Sequence, residues 1–168
     1  MEQITSINAM GDRLLNKLKT CIVTIRDLVQ REVSSIDEGI ATLRHLRRKV
    51  YEDLNQVQHE SLLLTSVRWL EANIPQCANA EWYWNPRQTG GSTEPDLRCV
   101  RDGQIIVSAE ATTSEEPKGS IDTRMRDTLA KLSEMPGQRY YFVRTESMAQ
   151  RARGKVLNNR HDIKIITL

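Results

Sequence analysis

Apolar side chains recur in steps of three and four along the first part of the chain, at Ile7, Met10, Leu14, Leu18, Cys21, Ile25 and Leu28. A second series follows at Ile36, Ile40, Leu43, Leu46, Val50, Leu54 and Val57. This spacing is that of amphipathic helices. Ser34-Ser35 offers one break, with Ser35 as N-cap and Asp37 and Glu38 in the following turn. The pattern therefore predicts two long helices. The second should run from Ile36 to about Asn73 and stop before the Ile74-Pro75 step. A helix of that length spans ~57 Å, more than a small domain can cover along its whole length. It calls for a partner helix, in its own chain or in another copy.

Beyond Pro75 the period changes. Glu81 to Asn85 is aromatic-rich and strand-like, and Pro86 to Thr93 is a loop by its glycines and polar residues. Leu97 to Arg101, the Asp102-Gly103 turn and Gln104 to Thr113 form a hairpin. A helix is expected from Ile121 to Glu134, capped by Ser120 and ended by Pro136-Gly137. Arg139 to Arg144 is a strand, Ser147 to Asn158 a short helix, and Ile163 to Leu168 a last strand. The fold class is α/β, a mixed sheet flanked by helices and preceded by a helical hairpin. The division expected is 1–59 for the hairpin, as a dimerisation region, and 60–168 for the core.

Composition narrows the classes. Hydrophobic residues are 39% of the chain, too many for a disordered segment. No apolar run approaches the ~18 residues of a membrane span, so no membrane association is expected. Met1 to Met10 lacks a basic stretch followed by an apolar one, so no secretory leader is expected. Cys21, Cys77 and Cys99 form no CxxC pair and are read as three free thiols in a reducing cytoplasm. Net charge is only +2, but it is unevenly spread. From Arg139 to Lys164 seven basic residues face two acidic ones, a net +5 that leaves −3 for the rest. A second basic cluster is Arg44, Arg47, Arg48 and Lys49. Either patch can hold phosphates or simply be a solvated helix face.

The hairpin carries the chemistry. Hydrolysis of a phosphodiester with a metal needs two carboxylates that meet at one cation. Asp96 precedes the first arm and Glu110 lies near the end of the second, so the Asp102-Gly103 turn brings them near one another. Alternation places Glu110 with Ser108 and Thr112 on one face, and Val107, Ala109 and Ala111 on the other. That apolar face is expected to bury against the helix at 121–134.

Pro95-Asp96, thirteen intervening residues and then Glu110-Ala111-Thr112 on a hydrophobic strand resemble the PD-(D/E)xK nuclease pattern. The order helix, three strands, helix, strand resembles that superfamily's restriction-endonuclease-like core, over about Glu60 to Leu168. The resemblance implies Mg2+ bound by Asp96, Glu110 and the backbone carbonyl of Ala111, with an in-line water attacking DNA. It also implies an acid from the first core helix. Glu60 takes that place, with an ordinary helix-surface acid as the alternative. The pattern's lysine is Thr112 here. Lys118, in the following loop, is the preferred replacement, and Lys131 on the next helix the second choice. That lysine orients the attacking water and stabilises developing negative charge.

The reading that follows is a magnesium-dependent DNA endonuclease of restriction or defence type. Arg151, Arg153 and Lys155 contact DNA, and the hairpins pair two copies so that two sites act together. The alternative is a catalytically inactive nuclease fold that binds DNA or assembles a complex. A helical interaction protein with a merely structural second half is a third reading, and it leaves Glu110 on an apolar strand unexplained. Trp69, Trp82 and Trp84 read as core or interface, and His45, His59 and His161 as surface residues.

Overall fold

The computed structural model describes residues 1–86, 93–159 and 161–168. Helix α1 (Ile7–Val29) and helix α2 (Ile36–Asn73) form the expected hairpin. The Ser35 hydroxyl accepts from the Glu38 N–H, the capping bond its position predicts. At the far end Ile74 is extended, and its N–H donates to the Leu70 carbonyl, so α2 stops at the residue that Pro75 constrains.

The sheet has six strands in sequence order: β1 (Glu2–Ile4), β2 (Glu81–Trp84), β3 (Leu97–Arg101), β4 (Gln104–Thr112), β5 (Gln138–Val143) and β6 (Lys164–Thr167). The first four are antiparallel neighbours, and β5 and β6 run parallel to β4. The parallel pairs are made by crossovers through α3 (Ser120–Ser133) and α4 (Glu146–Asn159). Asp102 and Gly103, with φ of 53° and 74°, make the β3–β4 turn. Gly137 has φ of 78°, and a Cβ there would lie 2.7 Å from the Ile106 carbonyl carbon, so only glycine lets the chain enter β5.

Helices cover both faces of the sheet. On one face Leu63, Val67 and Leu70 of α2 pack with Trp84, Leu97, Val107, Ala109, Tyr140 and Phe142. On the other, Met125, Leu129 and Leu132 of α3 and Met148 and Ala152 of α4 pack with Tyr141 and Val143. Full burial of each such side chain is worth ~1.5–3 kcal/mol, which is why alternate residues of one strand choose opposite helices.

Three local expectations are corrected. Residues 2–4, to which no strand was assigned, form strand β1 and pair with β2. Ser120 is the first residue of α3, and Gly119, without a side-chain cap, holds the N-cap position. Val107, Ala109 and Ala111 bury against α2, because β4 turns its Ser108–Glu110–Thr112 face toward α3. Helix α2 runs without a break through position 59, as its periodicity predicts. The Pro86–Thr93 loop lies mostly outside the described residues, as does Arg160 of the basic segment.

Candidate functional site

The β3–β4 register pairs Leu97 with Ala109. One step further along the antiparallel ladder, Asp96 stands opposite Glu110, and opposed residues project to the same side. The Ala111 N–H donates to Asp96 Oδ2 at 2.9 Å, which fixes the carboxylate against β4. The two carboxyls are close enough to hydrogen-bond, and Asp96 and Glu110 are only 2% and 1% exposed. Burial, and then the charge of Asp96, push the Glu110 carboxyl up to about 8; Lys131 opposes that shift. Both causes are those expected of two acids sharing one dry site.

Two further groups complete the cluster. Lys131 Nζ, from α3, lies 2.7 Å from Glu110 Oε1, and it donates to the Glu94 carbonyl at 3.0 Å. The ammonium is not aligned for a well-directed hydrogen bond to Glu110 Oε1, so this is a charge contact. His59, expected on the surface, is only 13% exposed, and its Nε2 lies 3.3 Å from Asp96 Oδ2. Its position on the last partly open turn of α2, just where that helix begins to be buried, explains both facts. No motif in the sequence marked His59 as a neighbour of Asp96. Only the packing angle of α2 on the sheet brings it there.

The remaining expected residues are placed differently. Lys118 is 81% exposed and pairs with Glu116, so it is Lys131, the second choice, that stands at Glu110. Thr112 lines the cleft beside the pair, and its hydroxyl meets the Tyr141 phenol, whose pKa burial raises. Glu60 is neither on the surface nor with the other acids. It is buried between the helices, where Lys17 of α1 and Gln56 contact its Oε1. Arg151 and Lys155 both bind Asp122, holding that carboxyl well below the usual carboxylate range, and Arg153 binds Glu146. These three cations are thus engaged within the fold, on α4 and α3.

Among the described residues no group of three or more His, Cys, Asp or Glu side chains is arranged to hold a metal ion. The acids at the site are a pair. Mg2+ is commonly held by one or two carboxylates together with water and substrate phosphate, so a buried carboxylate pair fits it. Beside the pair runs a cleft of about 530 Å³ between α2, the end of β4 and α3; His59, Ala111 and Thr112 line it. No described helix is long and apolar enough to cross a membrane. No family model, curated protein or solved structure matches this chain.

Proposed function

We propose that the chain is a magnesium-dependent DNA nuclease with a PD-(D/E)xK-type site on a restriction-endonuclease-like core. The observation that carries this reading is the contact between Asp96 and Glu110, two almost fully buried carboxyls beside an open cleft. Two acids in one dry site are costly even with Lys131 and His59 beside them, and a divalent cation would offset that cost further. Asp96 and Glu110 would hold the ion, with the backbone carbonyl of Ala111. When bound, Mg2+ supplies charge neutralisation at the scissile phosphate and a more acidic water.

The chain's own residues do the rest. Ala111 N–H and His59 orient Asp96. Lys131 takes the part of the missing lysine, since its ammonium reaches Glu110 from α3 and can face a developing negative charge. Glu60 has no part in the ion site in this account; with Lys17 it pins α1 to α2. The alternative, an inactive nuclease fold, draws on Thr112; the position of Lys131 beside Glu110 favours the active reading. Incubating the protein with DNA in Mg2+ and then in EDTA tests the reading.

A second copy is proposed as the partner of the hairpin. Every buried residue of α2 lies at Val57 or beyond. In the preceding half, Ile36, Ile40, Leu43 and Leu54 are exposed, and Leu15, Ile22 and Val29 repeat on α1 at heptad spacing. Two helices side by side over this half offer a face of ~30 by ~20 Å. Two copies would then bury ~1,200 Å² in total, the lower bound for a stable interface.

A further inference from the structure

The cleft beside the carboxylate pair has its own chemistry, which the catalytic reading does not use. Its α2 wall presents Tyr51 and Asn55, its α3 wall Arg124, and its β4 end Thr112 and Ser114. Tyr51 is 65% exposed, and no ring or hydrogen-bond partner engages it among the described residues. Arg124 is exposed and has no ion-pair partner among the described residues, unlike Arg151, Arg153 and Lys155. An open aromatic face and an uncommitted guanidinium therefore line one cleft, with side-chain amides and hydroxyls between them. Glu52 also lines it, a negative group that disfavours a second phosphate on the α2 side.

The depth of the acids limits what can reach them. Asp96 and Glu110 are 2% and 1% exposed, and His59, Ala111 and Thr112 border the opening beside them. A double helix keeps its bases paired along its axis and cannot narrow to enter a cleft of about 530 Å³. An unpaired strand can bend a phosphate inward and leave a base on the rim.

We propose that this cleft is a binding site for a single unpaired DNA strand, with Tyr51 stacking on a base and Arg124 on a backbone phosphate. The proposal rests on the nuclease reading for its position but not for its test. Single-stranded, frayed or branched DNA is then the substrate class, and a dimer would present two clefts, each for its own strand.

The test is binding by fluorescence anisotropy, on the full chain in EDTA, with a labelled single-stranded oligonucleotide and the matching blunt duplex. The single strand should bind about tenfold tighter or better, as stacking platforms favour open bases. Tyr51→Ala should weaken single-strand binding by roughly five- to a hundredfold, the worth of one stacked base, while Tyr51→Phe retains it. Arg124→Ala should lower the log–log salt slope by about 0.7, one single-strand phosphate. Since both side chains are exposed, circular dichroism should be unchanged in all three variants. Equal affinity for strand and duplex, or wild-type binding by Tyr51→Ala, would overturn the proposal. Cleavage of duplex DNA untouched by Tyr51→Ala would sink this inference and leave the nuclease reading standing. Selective strand binding without any cleavage in Mg2+ would do the reverse.

Discussion

Lys131 Nζ stands 2.7 Å from Glu110 Oε1, although twenty residues separate the two in the chain. The contact depends on the crossover. Strand β4 turns Glu110 toward α3, and Lys131 occupies the last turn of that helix, 35% exposed at its outer side. A lysine delivered from a helix behind the strand can serve the same carboxylate as one placed two residues along it.

If Lys131 stabilises charge during strand cleavage, Lys131→Ala should lower the cleavage rate in Mg2+ by roughly 10²–10³-fold, as loss of one such donor does elsewhere. Metal-free affinity for a single strand should stay within about twofold, since that binding rests on Tyr51 and Arg124. Lys118→Ala should change neither quantity, because Lys118 is tied to Glu116 at the surface. Equal rate losses in Lys118→Ala and Lys131→Ala would contradict this assignment.

Glu110 gives the metal-free protein a defined pH response. Its carboxyl is pushed up to about 8, above the ordinary glutamate value, so the folded chain holds a proton that the unfolded chain releases. Between about pH 5 and pH 8 the native state therefore binds more protons, and stability falls as pH rises. Over that window the loss should be on the order of 4 kcal/mol. Denaturant melts in EDTA at pH 5.5 and pH 8 measure it, and Glu110→Gln should flatten the difference. A wild-type protein equally stable at both values would contradict the burial of an ionisable Glu110.

The hairpin face predicts an assembly. Light scattering on the full chain should report a dimer at micromolar concentration, and Leu43→Glu should dissociate it without loss of helix. Leu43 is exposed in the single chain, so its replacement leaves the fold's own core untouched. A wild-type chain that stays monomeric at that concentration would refute the pairing.

Much of this molecule was legible in its sequence, and the remainder failed for identifiable reasons. The helix breaks at Ser35 and Pro75, the Asp102-Gly103 turn and the later helices and strands followed from capping, proline and alternation, which are local rules. The Asp96–Glu110 approach was legible only in outline: the turn sets Arg101 opposite Gln104, but a one-residue register shift between Cys99 and Val100, which no local signal marked, sets Asp96 opposite Glu110 and not opposite Ala109. The partners of those acids were not. Which helix covers which face of β4 is a tertiary choice, so Ala111 was assigned to the wrong helix and Lys131 ranked below Lys118. Likewise, Glu60 and His59 differ by one position on α2, yet one turns to Lys17 of α1 and the other to Asp96 of the sheet. The basic residues of α4 were visible as a charge excess. Their carboxylate partners, Asp122 and Glu146, became apparent only once α3 and α4 were packed.

The most direct measurement is the cleavage rate on a single-stranded or branched DNA, with Mg2+ and with EDTA, for the wild type, Asp96→Asn and Glu110→Gln. Each substitution removes one carboxylate and keeps its shape, so a loss of activity can be separated from loss of fold by circular dichroism. The account predicts cleavage by the wild type only with Mg2+, and loss of at least about 10³-fold in both variants, each of which lacks one of the two acids that would hold the ion. Unchanged cleavage in Glu110→Gln, or no wild-type cleavage of any single-stranded, branched or duplex DNA, would contradict it.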